Sequence, residues 1–231
     1  QAHMPYKVLE HSQNKLIIQS PPSPITGMQL TKIFYIVNAN SVKVVTQAQN
    51  ISERTLQWGL WSNTRVKAVG LAYIPITDQS EYLVEHVNPW KNPDTQYRFK
   101  IQDFKGWLSL GSQTSIAYDL KRATKLRVKS APRMIVYRLV DQVFVKQANS
   151  IDESELPAEH RSMECYRSEN QAVPTDELLE LQFLYPMKSL QSGESLEASE
   201  TWTLNQSQYF GPCDDVTSWL NAVQCKFAES K

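Results

Sequence analysis

The sequence predicts an all-β fold, an antiparallel two-sheet sandwich with one short helix near its C-terminus. Three observations predict it. Apolar residues alternate with polar ones at period two over most of the chain, as half-buried strands require. About a dozen runs rich in β-branched and aromatic residues are separated by turn signals, the pattern of a sandwich. Helical stripes are short, apart from one between Asp214 and Gln224.

Taken in order, Lys15–Gln19 is a short β-rich run, and Pro21, Pro22, Pro24 and Gly27 then make a stiff turn segment. Met28–Val37 and Val42–Ala48 flank Asn38-Ala39-Asn40-Ser41, a hairpin signal. Leu56–Trp61 and Val66–Ile74 read as further strands, followed by Tyr97–Ile101, Trp107–Leu110, Leu126–Lys129, Met134–Leu139 and Val143–Gln147. Met163–Arg167, Leu178–Leu184 and Leu196–Leu204 close the series. In the last strand Leu196, Ala198, Trp202 and Leu204 share a face that Glu200 interrupts. That places Glu200 either where the face opens to solvent or as a carboxylate in a cleft. Asp78–Asp94 reads as a long surface loop, and Asn149–His160, with four acidic residues, as a solvated one.

Length and charge narrow the function classes. At 231 residues, an all-β chain is commonly one domain, here taken as residues 4–231. Gln1–His3 before Met4 looks like a cloning remnant. The 24 basic residues balance 24 acidic ones, so no net charge drives binding to nucleic acid or an anionic membrane. No run of 18 apolar residues offers a membrane span, and no signal-peptide pattern opens the chain, which excludes an uncleaved secretory signal and not a removed one.

Three cysteines give weak limits. No C-x-x-C or Cys/His cluster suggests zinc, the histidines are scattered, and neither metal nor cofactor is expected. Cys213 and Cys225 flank the helical stripe of Val216, Trp219, Leu220 and Val223, capped by Asp214 or Asp215. A continuous helix over that span rises roughly 18 Å. A disulfide requires Cα atoms within about 7 Å. Helix with free thiols is therefore the expectation.

Motifs for acyl transfer or phosphate binding are missing, and seven glycines leave little for a phosphate cradle. Aromatics and one carboxylate are more informative. Within a strand, Trp58 and Trp61 point to opposite faces, so one belongs to the core and the other to a surface. An exposed tryptophan beside Asn63 suits a sugar, whose ring face stacks on the indole while its hydroxyls seek amides and carboxylates. Both tryptophans packing inside is the plain alternative. Glu164 shares a face with Tyr166, opposite Met163 and Cys165. There it is either a solvated strand carboxylate or, in a cleft, a base of raised pKa.

The run Ser20–Lys32, the segment Trp58-Gly59-Leu60-Trp61-Ser62 and the ending Leu190-Gln191-Ser192-Gly193-Glu194-Ser195 resemble an uncharacterised bacterial family with the galactose mutarotase-like fold. The ending resembles the L-x-P-G-E-S/T turn of that superfamily, with Ser192 where proline is usual. The resemblance covers about Tyr6 to Leu204 and implies a supersandwich with a concave sugar-binding face. Such proteins are usually longer at the N-terminus, and the resemblance favours a periplasmic or secreted setting. It places Glu164 at the catalytic base of aldose 1-epimerases. No histidine stands near Ser62-Asn63, where the family has an Asn-His pair, and His86 is the substitute left, reaching from a loop. The expected function is carbohydrate binding through Trp61, Asn63, Tyr166 and His86, with Glu164 as the candidate catalytic residue. The alternatives are an epimerase or lyase-like enzyme using Glu164, and a structural module without a small ligand.

Overall fold

The protein is described by a computed structural model covering residues 4–87, 101–103, 106–110, 122–169, 178–206, 220–223 and 225. Its strands, numbered along the chain, form two large antiparallel sheets. In spatial order the ten-stranded sheet runs β1 (Lys7–His11), β2 (Lys15–Gln19), β3 (Met28–Asn38), β4 (Ser41–Asn50) and β17 (Ser195–Gln206). It continues through β13 (Gln142–Ala148), β12 (Met134–Arg138), β7 (Leu71–Pro75), β10 (Trp107–Leu110) and β9 (Ile101–Asp103). The five-stranded sheet runs β6 (Trp61–Lys67), β15 (Leu178–Leu184), β14 (Met163–Glu169), β11 (Arg122–Lys129) and β8 (Glu81–Val87). A small ribbon pairs β16 (Lys188–Leu190) with β5 (Leu56–Trp58).

Alternation decides which side chains form the core. Leu126, Val128, Met163, Cys165, Leu179, Leu181 and Phe183 project from the five-stranded sheet toward Ala72, Ile74, Leu108, Leu110, Ile135 and Tyr137 of the ten-stranded one. Intervening residues of the larger sheet point the other way. There Tyr73, Met134, Val136, Val143 and Val145 pack with Trp107 against Leu220 and Val223, which lie in the expected C-terminal helix. The described part therefore has three layers: helix, large sheet, small sheet.

The expected strands are largely present, and the hairpin at Asn38–Ser41 joins β3 to β4. Several boundaries need correction. The segment read as a loop from Asp78 contains β8, which pairs along its length with β11. Its charged residues suit an edge strand, where they discourage further pairing and weaken the period-two signal. Leu56–Trp61 is not one strand: β5 ends at Trp58, and Trp61 opens β6 in another sheet. Val66–Ile74 is likewise split, and the chain turns at Gly70, where a Cβ atom would lie 2.3 Å from the Tyr137 ring. β1 and β16 were not expected, because each is short and mostly exposed. Glu200 does not open to solvent. It is only 6% exposed, between the sheets, beside the fully buried Lys146.

The closing turn rationalises one sequence feature. The Glu194 N–H donates to the Gln191 carbonyl at 3.1 Å, and Gly193 has φ +84°, as a type II turn requires at its third residue. Ser192 occupies the second position, which favours proline. Ser192→Pro is expected to stabilise the protein by about 0.4–1 kcal/mol, read as a raised urea midpoint at unchanged slope.

The thiols divide by burial. Cys225 is exposed and free, whereas Cys165 is fully buried and burial pushes its thiol up to about 12. Cys213 lies outside the described residues, so its pairing is untouched by this observation. Alkylation of the native protein at neutral pH should label Cys225 within minutes and spare Cys165 until denaturant is added, as peptide mapping would show.

Candidate functional site

The face of the five-stranded sheet turned away from the larger sheet carries the polar cluster. Register places it there. Arg127, Glu164, Gln182 and Asn63 lie side by side across β11, β14, β15 and β6. The next row on the same face is Lys125, Tyr166, Glu180 and Arg65. Trp61 stands at the start of β6 on this face.

Glu164 is the centre of the cluster and has no solvent exposure. Lys125 pairs with its Oε2, Arg127 Nε lies 3.4 Å from Oε1, and His160 Nδ1 lies 3.0 Å from Oε1. Three cationic or ionisable partners thus converge on one carboxylate, the arrangement that makes a buried charge tolerable. Glu180, 7% exposed, accepts from Arg65 Nε at 2.9 Å and from Gln182 Nε2 at 2.6 Å. Both carboxylates are therefore occupied, and the residual charge of the two rows is positive.

The aromatic part is open. Trp61 is 57% exposed, and the Lys125 ammonium sits 5.3 Å from its ring centroid, a cation–π distance. Lys125 thus ties Trp61 to Glu164 across the sheet. Tyr166 is half-buried, and burial, then the nearby Glu180, raise its hydroxyl pKa. It remains a neutral donor and acceptor at physiological pH.

The structure brings together four of the five residues expected from sequence: Trp61, Asn63, Glu164 and Tyr166. His86 lies in β8, opposite Thr124 of β11, and not in a loop. Sequence reasoning missed Lys125, Arg127, Glu180, Gln182 and Arg65. Charged residues alternating with Leu126 and Val128 were a usable signal for the first two. His160 precedes β14 by a short loop and was not predictable as a partner of Glu164. Among the described residues, no group of three His, Cys, Asp or Glu side chains could hold a metal ion. Nor is any described helix long and apolar enough to cross a membrane.

Comparison with solved structures defines the class. The architecture is the galactose mutarotase-like fold. A protein from Escherichia coli K12 provisionally named an aldose 1-epimerase superposes with a TM-score of 0.50 at 11% identity, covering 87% of this chain and 68% of that one. A galactose mutarotase-like protein from Lactobacillus casei ATCC 334 gives 0.49 at 10% identity, with 87% and 73% covered. The galactose 1-epimerase of Lactobacillus acidophilus NCFM gives 0.46 at 10%, with 87% and 66% covered. Within that class, the chain belongs to the family described as a domain of unknown function, DUF4380, whose model matches residues 2–205. No curated protein matches it.

Proposed function

We propose that the protein binds a carbohydrate on the outer face of the five-stranded sheet. The observation that carries this reading is the exposed Trp61 ring set beside a fixed polar array on the same face. A sugar presents an apolar C–H face and a rim of hydroxyls. Trp61 supplies the stacking surface, and Asn63, Arg65, Lys125, Arg127 and Tyr166 supply donors and acceptors around it. Glu164 acts here as a positioning residue: without solvent exposure, it fixes the Lys125 and Arg127 side chains on the face where a ligand would sit. The fold, shared with sugar-handling proteins, agrees with this reading but does not define the ligand.

The test is a glycan array with a thermal-shift screen of the wild type and Trp61→Ala. Wild type should retain a defined set of saccharides, and Trp61→Ala should lose them while melting within a degree or two of wild type, because the removed ring is largely exposed. A wild-type protein blank across neutral and acidic glycans, or a variant that binds equally well, would refute the reading.

One contact favours catalysis as a second reading. His160, about one-third exposed, is held at Nδ1 by Glu164. With its Nδ1 proton donated to that carboxylate, Nε2 is left to accept or return a proton, the kind of group that opening a sugar ring requires. His160→Gln would then abolish ring-opening activity, followed by polarimetry of a freshly dissolved anomer, while the saccharides retained on the array stay bound.

A further inference from the structure

The ten-stranded sheet is wider than the sheet that covers it, and β6 is the edge of the smaller one. Along that edge, residues of β3, β4 and β17 face β6 across a cleft of about 230 Å³. Its walls include Phe34 and Trp202 from the large sheet and Trp61 from the edge strand. Trp202 is held in place, since its Nε1 donates to Glu200 Oε1 at 3.0 Å and its ring meets Phe144 edge-on at 6.1 Å.

The charge inside the cleft is unequal. Glu200 lies at its floor, but Lys146 is 3.2 Å from Oε2, and Ser62 donates to Oε1 at 2.8 Å. That carboxylate is neutralised. Lys32 also lines the cleft, half-buried, and among the described residues its ammonium has no ion-pair or hydrogen-bond partner. Thr46 and Asn63 line the same space with side chains equally unengaged. One uncompensated cation, two neutral polar groups and aromatic walls form a small site with a definite preference.

We propose that this cleft binds a small ring-shaped carboxylate, its ring against Trp202 and Phe34 and its anionic group on Lys32. An aromatic acid and a uronic acid share that chemistry: a six-membered ring with an apolar face and one carboxylate. The proposal does not require a sugar on the outer sheet face, although the two sites share Trp61 and Asn63 on the edge strand.

The experiment is calorimetric titration of the full chain with benzoate and D-galacturonate, and with their uncharged counterparts benzyl alcohol and D-galactose. At least one carboxylate should bind saturably, and its neutral counterpart should bind about tenfold or more weakly, as loss of a charge-assisted hydrogen bond implies. Lys32→Gln should weaken the carboxylate by a similar factor, Lys32→Arg should retain most of the affinity, and Lys67→Gln, at the far end of β6, should change nothing. Because Lys32 is a half-buried strand residue without partners, the variants should melt like wild type. Binding of benzoate alone or galacturonate alone supports the site and identifies the source. Saturation by neither carboxylate, equal binding of the neutral counterpart, or a Lys32→Gln protein with unchanged affinity would overturn it. A tenfold loss shared by Lys67→Gln would overturn it too, by showing that any lost surface charge has the same effect.

Discussion

Lys146→Met is expected to destabilise the protein by about 3–5 kcal/mol, the scale for removing one partner of a buried ion pair. Lys146 is fully buried, and burial lowers its pKa while Glu200 opposes that shift. Its ammonium meets Glu200 Oε2 at 3.2 Å, Ser62 Oγ at 3.0 Å and the Leu181 carbonyl at 3.1 Å. It also lies 4.9 Å from the Phe183 ring centroid. It therefore ties β13 of the large sheet to β6 and β15 of the small one. Methionine fills much of the volume but leaves Glu200 as an uncompensated charge between the sheets. Adding Glu200→Gln removes that charge, so the double variant should regain much of the loss. Urea denaturation of the two singles and the double forms a cycle, and a coupling near zero would show that the pair is not what holds the sheets together.

Glu164→Gln is expected to lower stability by about 2–3 kcal/mol, less than the Lys146 change because the side chains of Lys125 and Arg127 are 14% and 15% exposed and partly screened. The amide keeps the shape of the side chain but removes the negative charge that Lys125 and Arg127 share. They should separate, and Lys125 should leave the Trp61 ring. Sugar affinity should consequently fall by about 1–3 kcal/mol, although the glutamine itself touches no ligand. This joint loss separates the roles on the face: Trp61→Ala removes binding with little change in stability, whereas Glu164→Gln lowers both. Denaturation and titration of both variants check it, and a Glu164→Gln protein as stable as wild type would show that the carboxylate does not organise the cluster.

Much of this was legible in the sequence because period-two patterning is local. Met163, Cys165, Glu164 and Tyr166 sort onto two faces by alternation alone, and Leu178–Leu184 and Trp107–Leu110 emerge with the bounds that hydrogen bonding gives them. Failures arose where long-range pairing overrides a local signal. β8 is a polar edge strand that has meaning only beside β11. Trp58 and Trp61 do fall one inside and one outside, yet they belong to different sheets, which no short window shows. Glu200 looked like a break in an apolar face because its partner, Lys146, is 54 positions away in sequence and adjacent only through the β13–β17 ladder. The partners of Glu164 come from a neighbouring strand and a loop, so alternation found the carboxylate but not what it holds.

The central claim is that a sugar binds the outer face of the five-stranded sheet. Amide NMR of the isotopically labelled protein, titrated with a saccharide retained on the array, tests it most directly. The account predicts perturbations confined to β6 around Trp61–Arg65, to Lys125 and Arg127, to Glu164 and Tyr166, and to Glu180 and Gln182, together with the Trp61 indole resonance. Perturbations centred instead on the opposite side of the molecule, at Val143, Val145, Leu220 and Val223, with the Trp61 indole unmoved, would contradict it.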